Sequence, residues 1–246
     1  AEFHRRLREG SVFPKTSQPP SGDFRRQFEI SLSHHAQVVC VGLSRALSGT
    51  LQAAESAAAR VDSERVHVVD SGHASCGQAL LAVLAAELAR AGADAPKIRE
   101  QIALARGQVQ TWAITRDVSF AVRGGRIPAW AKPLIAGLGL VPVARVKSNG
   151  RLGVAGALFG GVQAAPLRFA RYLRRRMASN QRWRVLIGHV GCESDAELLR
   201  QALLDGLQVE DLGIVEVGPA IGAHAGTGAL VVAIQSVEVA RAGNAP

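Results

Sequence analysis

Aromatic side chains are scarce in this 246-residue chain, at 4%, and tyrosine and methionine occur once each. A surface that stacks nucleobases needs more rings than that, so single-stranded nucleic acid is a poor match as partner. Cysteine is nearly as rare: Cys40, Cys76 and Cys192 are an odd number with no CxxC spacing. Neither a disulfide framework nor a zinc site follows from such a set, and a reducing cytoplasm fits it best. No apolar run is long enough to span a membrane, and no stretch reads as a signal peptide. An initiating methionine is missing as well. The chain opens at Ala1, inside a charged helical pattern from Glu2 to Glu9, and is expected to be a piece of something longer.

What is plentiful points to a globular protein. Hydrophobic residues make up 48% and charged residues 20%, enough for one large domain or two ordinary ones. The net charge of +9 is uneven, with Arg168, Arg171, Arg174, Arg175, Arg176, Arg182 and Arg184 crowded together and a smaller group at His4, Arg5, Arg6 and Arg8. Such a patch meets nucleic acid, an acidic membrane or an acidic protein, or is simply a solvated helix face.

The apolar run "AQVVCVGLS" (36 to 44) reads as a strand and the alanine-rich 45 to 61 as a helix; "RVHVVDS" (65 to 71) and 74 to 92 repeat the pattern. Strand, helix, strand, helix implies a parallel sheet covered on both faces, with ligands at the carboxyl ends of its strands. A further helix at 95 to 107 leads to "VQTWAITRD". Past residue 118 glycine and proline become frequent, a hairpin turn is expected at Ser148-Asn149-Gly150, and a basic helix, a strand, a helix and two strands follow. The expected fold is α/β: a parallel-sheet domain over residues 1–118 and a second, smaller α/β domain over 119–246.

Four polar clusters punctuate this pattern. In "KTSQPPSGD" (15 to 23), prolines stiffen a strap bearing Thr16, Ser17 and Gln18, and Ser21 or Asp23 is placed to cap a helix. Ser48-Gly49-Thr50 opens the first alanine-rich helix, Gly124-Gly125-Arg126 follows residue 118, and "GPAIGAHAGTGAL" (218 to 230) sets His224 among glycines. Taken singly, these are caps, turns and a packed histidine.

In this order, TSQP, LSGT after the first strand, VVDS after the second, RGGRI and GAHAGTGAL resemble the DegV family of bacterial lipid-binding proteins, over nearly the whole chain. The resemblance implies two α/β domains, one burying a fatty acyl chain and one closing over its carboxylate. It implies a fatty acid as the ligand, no further cofactor, no metal and no catalytic residue. The expected partner is an ATP-dependent fatty acid kinase, as a separate subunit or a fused kinase-like domain, to which the carboxylate is presented in the cytoplasm. Carried over residue by residue, the head group falls to Thr16, Ser48 and His224, with Gly49 and Thr50 at the helix start and Arg126 neutralising charge or bracing its loop. The chain departs from the family in three places. The family's first strand and its Asp-Ser motif have no counterpart ahead of TSQP, its usual HTGPG reads His224-Ala225-Gly226-Thr227-Gly228, and "GALFGG" (156 to 161) stands where the family carries a basic pair tied to kinase coupling.

A different class of function competes. "VGLSRA" (41 to 46) is close to the GxSxG elbow, and Ser44, Asp70 and His224 follow the Ser, Asp, His order of α/β serine hydrolases, with Ser44 as nucleophile.

Overall fold

A computed structural model describes residues 2–9, 14–123 and 137–237. Its elements in chain order are α1 (Glu2–Glu9), α2 (Ser21–Leu32), β1 (Val38–Gly42), α3 (Thr50–Val61), β2 (Val66–Asp70), α4 (Cys76–Arg90), α5 (Ala95–Arg106), β3 (Val109–Ile114), α6 (Val118–Arg123), β4 (Val141–Val146), β5 (Leu152–Leu158), α7 (Ala165–Arg174), β6 (Arg182–His189), α8 (Glu193–Leu204), β7 (Gln208–Glu216), α9 (Pro219–Ala225) and β8 (Leu230–Val237).

Strands β1 and β2 are short valine-rich runs that pair in parallel, from Val38 opposite Val66 to Gly42 opposite Asp70. Successive side chains of a strand face opposite ways, and both faces are covered. Val38 and Cys40 pack toward Phe28 of α2 and Ala54 and Ala57 of α3, while Val39 and Val41 pack toward Leu80 and Leu81 of α4 and Ile98 and Ile102 of α5. Helix α2 starts directly after Pro20, and neither Ser21 nor Asp23 caps it through its side chain. Asp23 instead pairs with Arg26 at 2.6 Å.

The other sheet has six strands in the order β5-β4-β3-β8-β6-β7. Its pairs are antiparallel apart from β6 with β7. The turn at Ser148-Asn149-Gly150 joins β4 to β5 as expected, closed by Gly150 N–H donating to the Lys147 carbonyl at 2.9 Å. On one face lie α7 and α8, where Phe169, Leu173 and Met177 are buried against Leu199 and Leu203. Arg174 donates from Nη1 to the carbonyls of Ala202 and Leu203, at 3.1 and 3.4 Å, and to that of Asp205. It thereby satisfies acceptors that the end of α8 leaves open.

Two expectations shift here. β3, assigned by sequence to the first unit, is flanked by β4 and β8 of the large sheet, so the sheets part between α5 and β3 rather than near residue 118. The second unit also carries the larger sheet, not the smaller. Local patterns mark β3 as a strand but cannot name its partners, and β8 comes from the far end of the chain.

Helix α4 belongs to both units. Its buried Cys76, Leu80 and Leu81 share one core with Val109, Leu186, Val231 and Ala233 of the large sheet. Gly77 permits this close approach, since a Cβ there would overlap Oγ1 of Thr111 on β3. An ion cluster fastens the same helix: Arg184 of β6 donates to Glu87 of α4 at 2.9 Å and to Glu210 of β7 at 2.8 Å. The hydrogen bonds to Glu87 foremost, then those to Glu210, push the guanidinium pKa up against a desolvation penalty. The three cysteines are free thiols. Burial raises Cys76 to about 12 and Cys192 to about 11.

Candidate functional site

The strap from Lys15 to Pro20 has no regular structure, as two consecutive prolines demand. It touches two other elements. Gln18 lies over the start of α3 so closely that a Cβ at Gly49 would overlap its Oε1. Thr16 Oγ1 stands 2.8 Å from Nε2 of His224, at the end of α9. Three of the motifs singled out in the sequence therefore meet at one place.

Each partner is held by its own surroundings. Ser48 Oγ accepts from the Thr50 backbone N–H at 3.2 Å and lies 2.8 Å from the Thr50 hydroxyl. Gly49 precedes α3 with no side-chain cap of its own, so beyond the Thr50 N–H held by Ser48 the N–H groups of Leu51 and Gln52 face an anion site that the helix dipole also favours. On the other side Thr115, just past β3, donates to the Ala225 carbonyl at 2.6 Å, and Gly228 N–H donates to Val190 just past β6 at 2.8 Å. These bonds set the His224 turn over the ends of two strands. Thr16 is exposed, whereas Ser48, Gly49, Thr50 and His224 are half-buried. Arg126 and its glycine pair lie outside the described residues.

The hydrolase expectation does not survive this geometry. A serine nucleophile needs a base within hydrogen-bond reach, yet buried Ser44 donates its hydroxyl to the Gly150 carbonyl at 2.9 Å. Asp70 accepts from the backbone N–H groups of Gly72 and Arg45 at 2.8 and 3.4 Å, and His224 is engaged with Thr16. Ser44 ties the loop after β1 to the β4–β5 hairpin.

His73 was not singled out by sequence. It is buried, with Nδ1 2.9 Å from the Thr111 hydroxyl and Nε2 3.2 Å from the Arg106 carbonyl. A carbonyl can only accept, so Nε2 carries the proton and Nδ1 accepts from Thr111. Burial pushes the pKa of this imidazole down, and the Arg106 charge adds to the effect. The unfolded chain then binds more protons than the folded one just below the ordinary histidine value, so this contribution to stability is present above about pH 6.5 and lost as the pH falls below it. Denaturant melts from pH 7.5 to 5.5 are expected to show stability falling with pH, and His73→Gln should flatten that dependence. An unchanged slope in His73→Gln would assign the effect elsewhere.

Sequence reasoning also missed an apolar cleft of about 350 Å³ between β1, α4 and α5, lined by Val39, Val41, Ala82, Ala85, Ala86 and Ala89 among others. Its signal was readable in hindsight. The alanines recur at i, i+3, i+4 and i+7 on α4, and the valines alternate on β1. Among the described residues, no helix is long and apolar enough to cross a membrane, and no group of three or more His, Cys, Asp or Glu is placed to hold a metal ion.

The profile of a family described as "Uncharacterised protein, DegV family" matches residues 1–237. The chain belongs to the DegV family. A DegV domain-containing protein of Deinococcus radiodurans is 33% identical over 230 residues, covering 93% of this chain and 80% of that protein. Among solved structures, a DegV family protein from Thermus thermophilus, described by its fatty acid binding, is 32% identical with a TM-score of 0.83 over 96% of this chain and 84% of its own. A DegV lipid binding protein from Thermotoga maritima is 26% identical with a TM-score of 0.85, covering 96% and 82%. The α/β fold expected from the motifs is thus the DegV fold.

Proposed function

We propose that this chain binds one long-chain fatty acid, with the acyl chain along the cleft between β1, α4 and α5 and the carboxylate among Thr16, Ser48 and His224. The observation that carries the reading is the meeting of the strap with both the α3 start and the His224 turn, in a chain whose relatives from Thermus and Thermotoga are described as fatty acid or lipid binders.

The donors suit a carboxylate. With Thr50 donating to Ser48 Oγ, the proton of Ser48 is left for an outside acceptor. With His224 donating from Nε2 to Thr16 Oγ1, the Thr16 proton is likewise free to reach the ligand. Charge-assisted bonds of this kind offset the cost of drawing an anion out of water, and the open N–H groups of α3 add to them. Gly49 lets Gln18 close over the same corner. An alanine-lined cleft left empty would forfeit packing, whereas an acyl chain covers the exposed faces of Ala82, Ala86 and Ala89.

The second half of the proposal is that the carboxylate is presented to an ATP-dependent kinase, separate or fused. Thr16 is exposed, so the head group would lie near solvent. Arg168, Arg171 and Arg175 form an exposed basic face on and just beyond α7, suited to an acidic partner. Native mass spectrometry of the purified protein tests both halves. About one fatty acid per chain is expected, and incubation with ATP and a fatty acid kinase subunit should shift the bound acid by the mass of a phosphoryl group. Lipid-free protein that also refuses added palmitate and oleate would defeat the reading. Loaded protein that is never phosphorylated would defeat only its second half.

A further inference from the structure

A second cleft, of about 470 Å³, opens where the loop after β2, the end of α5 and the strands β3 and β4 come together. Arg106, Arg145 and Lys147 line it, with Trp112 and Ser148 beside them and no carboxylate among the described lining residues. The three cations come from separate places: the last residue of α5, the body of β4 and the turn that follows it. Among the described residues, none of the three forms an ion pair.

Their stems are laid against fixed surfaces. The Arg106 guanidinium lies against Gly72, its Cζ 2.7 Å from where a Cβ would stand, and Gly72 itself has a φ of +65°. Lys147 runs along Gly153, its Nζ 2.9 Å from the corresponding point. Arg145 sits over the Trp112 ring, 5.6 Å from its centroid. Three like charges held around one cleft, in a chain of net charge +9, repel one another until an anion enters. Two planar guanidinium forks match the paired oxygens of a phosphate, and a lysine adds a point charge. The volume is that of a small-molecule site rather than of a lone ion.

We propose that this cleft binds a small phosphorylated ligand, its phosphate groups held by Arg106, Arg145 and Lys147. The site shares no residue with the carboxylate corner at Thr16, Ser48 and His224, so it stands whether or not a fatty acid binds there. Trp112 provides the readout, because an anion drawn to Arg145 changes the charge above the indole ring.

The test is titration of the intact chain with inorganic pyrophosphate at constant ionic strength, followed by tryptophan fluorescence and calorimetry. Saturable binding at one site per chain is expected. Lys147→Gln, at an exposed position, and Arg106→Gln should each weaken it at least about tenfold, the loss of a charge-assisted bond. The pair Arg60→Gln, Arg90→Gln, at exposed positions on α3 and α4, removes twice the charge of either single variant elsewhere and should leave binding unchanged. The proposal is overturned by the absence of saturable binding, by Lys147→Gln binding as tightly as the parent, or by an equal loss in the Arg60, Arg90 pair, which would mark attraction to overall charge.

Discussion

Ala86→Phe should strip the protein of fatty acid while leaving its fold intact. Ala86 is exposed on α4 and lines the apolar cleft, so a phenyl ring there enters the cleft rather than the core. The helix loses at most about 0.7 kcal/mol in intrinsic propensity. The ligand loses more, since each buried methylene contributes about 0.8 kcal/mol and displacing only two of them costs more than a factor of ten in affinity. Extraction and mass spectrometry of the purified variant should find a small fraction of the parent's lipid, with thermal unfolding by circular dichroism nearly unchanged. Full occupancy in the variant would place the acyl chain somewhere other than this cleft.

His224→Ala is expected to weaken fatty acid binding by about 1.5–3 kcal/mol, or roughly 10- to 150-fold, the range for a hydrogen bond to a charged group, because without the Nε2 donor Thr16 is no longer held with its own proton toward the carboxylate. His224→Gln keeps an N–H donor and should lose less. Thr16→Val, which removes the hydroxyl at nearly constant shape, should cost a similar amount. Because Thr16 and His224 stand 2.8 Å apart, the double variant should lose less than the sum of the two. Binding of a fluorescent fatty acid, measured beside thermal stability, separates this from a packing role. If Ala and Gln at position 224 lowered stability alike and left affinity alone, His224 would be a structural residue.

The segments of the candidate site were legible in the sequence as short polar motifs at the ends of apolar runs. Thr16, Ser48, Gly49, Thr50 and His224 were all named there, and the structure brings their loops together. Ser44 shows where such reading fails. The spacing of a nucleophile elbow was present, but a hydroxyl's role depends on what it faces, and Ser44 faces the carbonyl of Gly150, far away in sequence. β3 fails in the same way: its assignment to the first unit went wrong because its partnership with β8 is a matter of long-range pairing. The cleft went unread because alanines on a helix look like good helix formers before they look like an empty space. The cationic cleft at Arg106, Arg145 and Lys147 was invisible because its charges come from separate elements that only the fold assembles.

The double attachment of α4 bears on how a lipid would come and go. This helix forms one wall of the cleft beside β1 and is also clamped to the large sheet, by close contact at Gly77 and by Arg184 bridging Glu87 and Glu210. Swinging the two sheets apart like a hinged book would tear that wall away and strand an arginine from its carboxylates, a far costlier motion than detaching one short segment. The proline-stiffened strap is moored through Gln18 and Thr16, and only those two contacts would have to part for a lipid to leave past it. In the proposed complex the doorway and the grip are then the same piece of chain: any change that tightens the hold on the carboxylate also slows the lipid's exit, and affinity and residence time rise together.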